Sequence, residues 1–97
     1  MAAIEEGNRL GVARSLVVYP NPVSTEATIG YSLPRSSAIS CVVYDAAGSL
    51  VSRLPAATQA AGKHQLTWNA AGVRPGIYFC RLIADGATST ARLSVVR

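Results

Sequence analysis

The side chains best able to do chemistry here are Cys41, Cys80, His64, Asp45 and Asp85. Metal binding asks for clustered ligands, and the chain has no C-x-x-C pair and a single His. Calcium would need grouped oxygen ligands, whereas Asp45 and Asp85 have no acidic neighbour in sequence. A Ser-His-Asp set can be drawn on paper, but His64 sits mid-pattern in an alternating run, where a strand residue is expected rather than a general base. No phosphate-cradling Gly loop and no nucleophile elbow occurs. These residues predict no catalytic site, no metal and no cofactor.

The two cysteines lie 39 residues apart, each in the phase expected to face the core. One reading is a disulfide, whose loop closure would stabilise the fold by roughly 3–4 kcal/mol. The other is a pair of reduced thiols packed as small hydrophobes. Both stay open at the level of sequence. Trp68 and the tyrosines raise the question of a sugar platform, but Trp68 shares its phase with Leu66 and Tyr78 shares one with Leu82, the signature of a core.

The elements that carry these residues are short and extended. The chain has 97 residues, which bounds it to one domain. Its 49% hydrophobic and 14% charged composition argues against disorder. Strands are expected over 16–19, a short apolar run, and over 27–33, 39–44, 50–54, 63–68, 77–84 and 89–96, where the period is two nearly throughout. Asp45-Ala46-Ala47-Gly48 and Asp85-Gly86 read as hairpin turns. Pro75-Gly76 reads as a type II turn, and 55–61 as a crossover loop. Seven such strands predict an all-β, Ig-like antiparallel β-sandwich, with a closed barrel as the other arrangement considered. Residues 1–15 read as a linker or added segment ahead of a 16–97 domain.

The net charge of +4 rests on eight Arg and one Lys spread singly along the chain. That spacing speaks against nucleic acid, which would want a basic stripe with interleaved aromatics. The apolar runs are too short for a spanning helix of ~20 residues, so no membrane insertion is expected. Met1–Glu6 has no basic region or apolar stretch of a signal peptide, and the rest of the sequence favours a fragment of a longer exported chain.

Several pieces then coincide in order: Val18-Tyr19-Pro20-Asn21-Pro22, Tyr31-Ser32-Leu33-Pro34, Val43-Tyr44-Asp45-Ala46-Ala47-Gly48, Ala61-Gly62 through Trp68-Asn69, and Pro75-Gly76-Ile77-Tyr78. Over residues 16–97 this resembles the type A C-terminal sorting domains of the type IX secretion system. The related Ig-like domain of flagellar hook-capping proteins shares much of the pattern. The resemblance implies a non-catalytic signal that directs an N-terminal cargo from the periplasm across the outer membrane, to be cell-attached or secreted. It implies the type IX translocon and a sortase-like peptidase as partners. Carried over, Pro20, Asn21 and Pro22 mark the domain entrance; Gly48, Gly62, Pro75, Gly76 and Tyr78 match structural motifs. Arg92, Leu93 and Val95 match the basic-then-apolar last strand, where the family more often has Lys. The processing site should precede Leu16. The edge of strand 89–96 is the expected surface for main-chain pairing, and deleting Leu93–Arg97 is expected to harm transport more than folding. An Ig-like structural or adhesion module of an extracellular protein is the competing reading.

Overall fold

The computed structural model describes residues 16–97. The linker expected over 1–15 and the processing bond expected before Leu16 lie outside them. Seven antiparallel strands follow in order: β1 (Val17–Tyr19), β2 (Glu26–Leu33), β3 (Ser37–Asp45), β4 (Leu50–Gln59), β5 (Gly62–Asn69), β6 (Gly76–Ala84) and β7 (Ala87–Val95). They form two sheets, β1-β2-β5 and β4-β3-β6-β7. The constant-type Ig sandwich places its fourth strand on the other sheet; here β4 pairs with β3 and widens the sheet of β6 and β7. Two separate sheets replace the barrel alternative.

The core lies between the sheets and follows the period of two. Ala27, Ile29, Tyr31 and Leu33 of β2 face Ile39, Cys41 and Val43 of β3 and Tyr78, Cys80, Leu82 and Ala84 of β6, all buried. A one-residue slip in any of these strands would turn its whole apolar set to water, so the register is strongly specified. Trp68 of β5 is buried and spans the gap. Its ring tilts against Tyr78 at 6.1 Å between centroids, and its Nε1–H donates to Ser52 Oγ of β4 at 3.0 Å. That is the core role, not the sugar platform. Leu66 keeps the inward phase but is only partly buried.

Both Asp-Gly turns form as their chemistry predicts. Gly48 N–H donates to Asp45 O, and Asp45 Oδ1 accepts from Ala47 and Ser49 N–H at 3.0 and 2.8 Å. Gly48 has φ 90°, which a Cβ would oppose. Asp85 and Gly86 have φ 49° and 84°, the two positive values of a type I′ hairpin between Ala84 and Ala87.

Two expectations need correction. The crossover loop expected over 55–61 is mostly strand: β4 runs through Pro55 to Gln59, and only Ala60 and Ala61 separate it from β5. Proline is tolerated because β4 is an edge strand and carries a bulge there. Ile39 pairs with Ala57 and Cys41 with Leu54, so Pro55 and Ala56 together oppose Ser40. The expected turn at Pro75-Gly76 lies earlier, where Val73 N–H donates to Ala70 O, and Gly76 already pairs with Val95.

Candidate functional site

One end of the sandwich gathers most of the residues carried over from the family pattern; Gly62, paired with Leu33, lies at the other end, and Arg92 lies within β7 opposite Phe79. The turn carrying Gly48 closes β3 there, Pro75 and Gly76 open β6, and Leu93 and Val95 close β7. Asp45 sits opposite Tyr78, and Tyr78 opposite Leu93. Tyr78 is buried, and its hydroxyl donates to Arg74 O at 2.6 Å, pinning the connection that leads into β6.

The Pro20-Asn21-Pro22 entrance completes this end in a way the strand pattern does not announce. Both X-Pro bonds, Tyr19–Pro20 and Asn21–Pro22, are cis. Between the two prolines, Asn21 turns its amide onto the outer edge of β7. Its Oδ1 accepts from Ser94 N–H at 3.0 Å, and its Nδ2 donates to Arg92 O at 3.3 Å. A side-chain amide offers one acceptor and donors in the spacing of a peptide group, so Asn21 stands in for a strand residue. Val23 then continues as main chain: its N–H donates to Ser94 O, its C=O accepts from Val96 N–H, and it forms a parallel bridge with Val95. Val23 is fully buried.

Arg97 extends the seam. Its guanidinium donates to Ala71 O at 3.0 Å and also to the carbonyls of Ser24, Ala70 and Val73. Thus the connection after β1 and the one after β5 are tied to the end of β7. Val23 and Arg97 were missed in the sequence. The only available signal was an Asn flanked by prolines, which cannot itself extend a ladder through the following residue's N–H.

This seam corrects the expectation that the last strand presents an open edge. From Arg92 to Val96 that edge is already occupied by Asn21 and Val23. Among the described residues no strand pairs the outer edge of β7. Asn21→Ala is expected to lower stability by about 1–2 kcal/mol, the net worth of two modest hydrogen bonds. Asn21→Asp keeps an acceptor for Ser94 but loses the donor to Arg92 O, and should fall close to Ala in a denaturation series. Wild-type stability in both variants would mean the splint contributes nothing.

Cys41 and Cys80 are free thiols, fully buried, with Sγ atoms 3.3 Å apart. They occupy diagonal positions on adjacent strands of one sheet, since Cys41 pairs with Leu82 and Cys80 with Val43. The shared hydrogen bond and burial push the Cys80 thiol up, while that same bond pulls Cys41 down. In folded protein both should resist alkylation because neither is exposed to the reagent. The bridged reading has a direct check. Isolated from an oxidising compartment and denatured without reductant, a bridged chain weighs two hydrogens less and takes no label; labelling of both thiols would leave them as packed hydrophobes.

His64 lies on β5 opposite Tyr31, stacked on it at 5.8 Å, with Nε2 2.7 Å from Ala60 O. It is engaged in structure. Among the described residues no group of three His, Cys, Asp or Glu is placed to hold a metal, and no helix is long and apolar enough to cross a membrane.

The family model for the secretion system C-terminal sorting domain matches residues 17–96. The chain belongs to this sorting-domain family. A solved structure with the same fold is PorZ, described as an essential bacterial surface component of the type IX secretion system of Porphyromonas gingivalis, at 24% identity and TM-score 0.59. The match covers 86% of this chain and 12% of that one, so the chain corresponds to a small part of the larger protein. Comparison with curated proteins finds no match. As a type IX sorting domain, a kind of module generally non-catalytic, it marks a secreted or cell-surface protein.

Proposed function

We propose that residues 16–97 act as a removable C-terminal signal that carries an N-terminal cargo through the periplasm and across the outer membrane, where a sortase-like peptidase cuts ahead of Leu16. The observation that carries this reading is the family match over residues 17–96. It is supported by the convergence of Asn21, Gly48, Gly76, Tyr78, Leu93 and Val95 at one end of the sandwich. A signal of this kind needs a rigid scaffold that presents a defined end to the translocon, and the stitched seam supplies rigidity without any reacting group.

The test is a fusion of residues 16–97 to the C-terminus of a signal-peptide-bearing periplasmic reporter. In a host with the type IX apparatus the reporter should reach the surface or medium, shortened by the mass of the domain. In a host lacking the translocon it should stay periplasmic and full length. If the intact fusion stays periplasmic in the competent host, the sorting role fails and the extracellular accessory module takes its place. Surface display at full length would keep sorting and remove the peptidase step.

A further inference from the structure

The outer face of the four-stranded sheet is unlike the rest of the surface. Across β4, β3, β6 and β7 the register sets Arg53 beside Val42, Val42 beside Arg81, and Arg81 beside Thr90. One step along, Tyr44 lies beside Phe79 and Phe79 beside Arg92. The Arg81 guanidinium carbon sits 4.9 Å from the centre of the Tyr44 ring. Val42 is only 7% exposed although it faces outward, because the aliphatic stems of Arg53 and Arg81 flank it. Two shallow clefts meet at Tyr44. One, of about 560 Å³, is lined by Phe79, Arg81 and Thr90; the other, of about 390 Å³, by Arg53, Pro55 and Ile83.

The charges on this face find no acidic partner among the described residues. Among the described residues the acids are Glu26, Asp45 and Asp85. Asp85 pairs with Arg35 at the opposite end, and Asp45 spends its Oδ1 on its own turn. Arg53, Arg81 and Arg92 make no ion pair among the described residues. The chemistry of the face is that of a protein interface: Arg and aromatics enriched and Lys missing, with an apolar centre and a charged rim, and with Asp45 as the acid at the margin of the Tyr44 cleft. Arg53 and Arg81 flank one strand, which puts their strands about 10 Å apart.

We propose that this face docks an acidic protein surface whose carboxylates meet Arg53 and Arg81 on either side of Val42, with Tyr44 and Phe79 packed beneath the contact. Guanidinium groups can take carboxylates in a bidentate fork, and the stack on Tyr44 holds Arg81 ready for one. The face meets the Asn21 seam at Arg92, whose backbone carbonyl takes the Asn21 amide, but it does not depend on the sorting role.

Fluorescein-labelled poly-L-glutamate titrated into the full 97-residue chain tests this by anisotropy. The expected result is saturable binding that weakens as salt rises. Arg53→Glu and Arg81→Glu should each weaken it about tenfold, roughly one charge-assisted contact plus repulsion. Tyr44→Ala, which removes no charge, should weaken it severalfold, while Arg35→Glu and Arg74→Glu should leave it within about twofold. Circular dichroism and unfolding midpoints confirm that each variant keeps the fold. Absent binding, or equal loss at Arg35 and Arg74, would overturn the proposal. So would inorganic polyphosphate binding more tightly through the same arginines, which would make the face a phosphate site.

Discussion

Trp68→Ala is expected to lower the free energy of unfolding by about 3–5 kcal/mol. The side chain is 3% exposed and reaches from the three-stranded sheet to the other, so its removal opens a cavity between layers rather than at a margin. It also leaves Ser52 Oγ without its donor and Tyr78 without its ring contact. A domain this size has about 5–15 kcal/mol in hand, so the variant should sit near the edge of folding. Trp68→Phe separates the two contributions: it keeps most of the apolar area, loses the indole N–H, and should cost about 1–2 kcal/mol. Chemical denaturation followed by far-ultraviolet circular dichroism reads both. An unchanged midpoint for Trp68→Ala would place the ring outside the core and restore the sugar-platform reading.

Where local chemistry decides the outcome, the residues announced it. Alternation placed Ile39, Cys41, Val43, Tyr78 and Leu82 inward, and Asp-Gly pairs placed two hairpins. Local rules failed at Pro55, because proline's penalty depends on whether its strand is central or at an edge, and only the assembled sheet decides that. They failed again at the Asn21 seam. The bond from Asn21 to Ser94 joins residues 73 apart, and the pattern of neither segment refers to the other. The outer face was equally hidden. Arg53, Arg81 and Arg92 look dispersed along the chain, yet pairing of β4, β3, β6 and β7 lays them on one surface. An absence of basic runs in sequence therefore says little about basic patches on a sheet.

The second large effect concerns deletion of Leu93–Arg97, and the structure reverses its meaning. As an edge-strand trim it should spare the fold, since Trp68 and Tyr78 remain. But Leu93 is 0% exposed and Val95 2% exposed, so the cut removes two core side chains. It also removes the Val95 bridge to Val23, the partner of Gly76, and all the Arg97 bonds that tie down Ser24, Ala71 and Val73. Truncating one such leucine costs about 2–5 kcal/mol, so losing two core residues with their ladder reaches the range of what a small domain holds. The truncated chain should lose the near-ultraviolet signal of Trp68 and show no cooperative transition in denaturant. Failed export of that truncation would then report unfolding, not lost recognition. A pair of milder variants divides the two: Leu93→Ala, which weakens the core alone, and Arg97→Ala, which loosens the seam while leaving the core filled. If the truncated domain instead unfolds cooperatively at a midpoint near that of the intact one, the end of β7 is dispensable to the fold. The strand would then be free to serve as a recognition element in its own right.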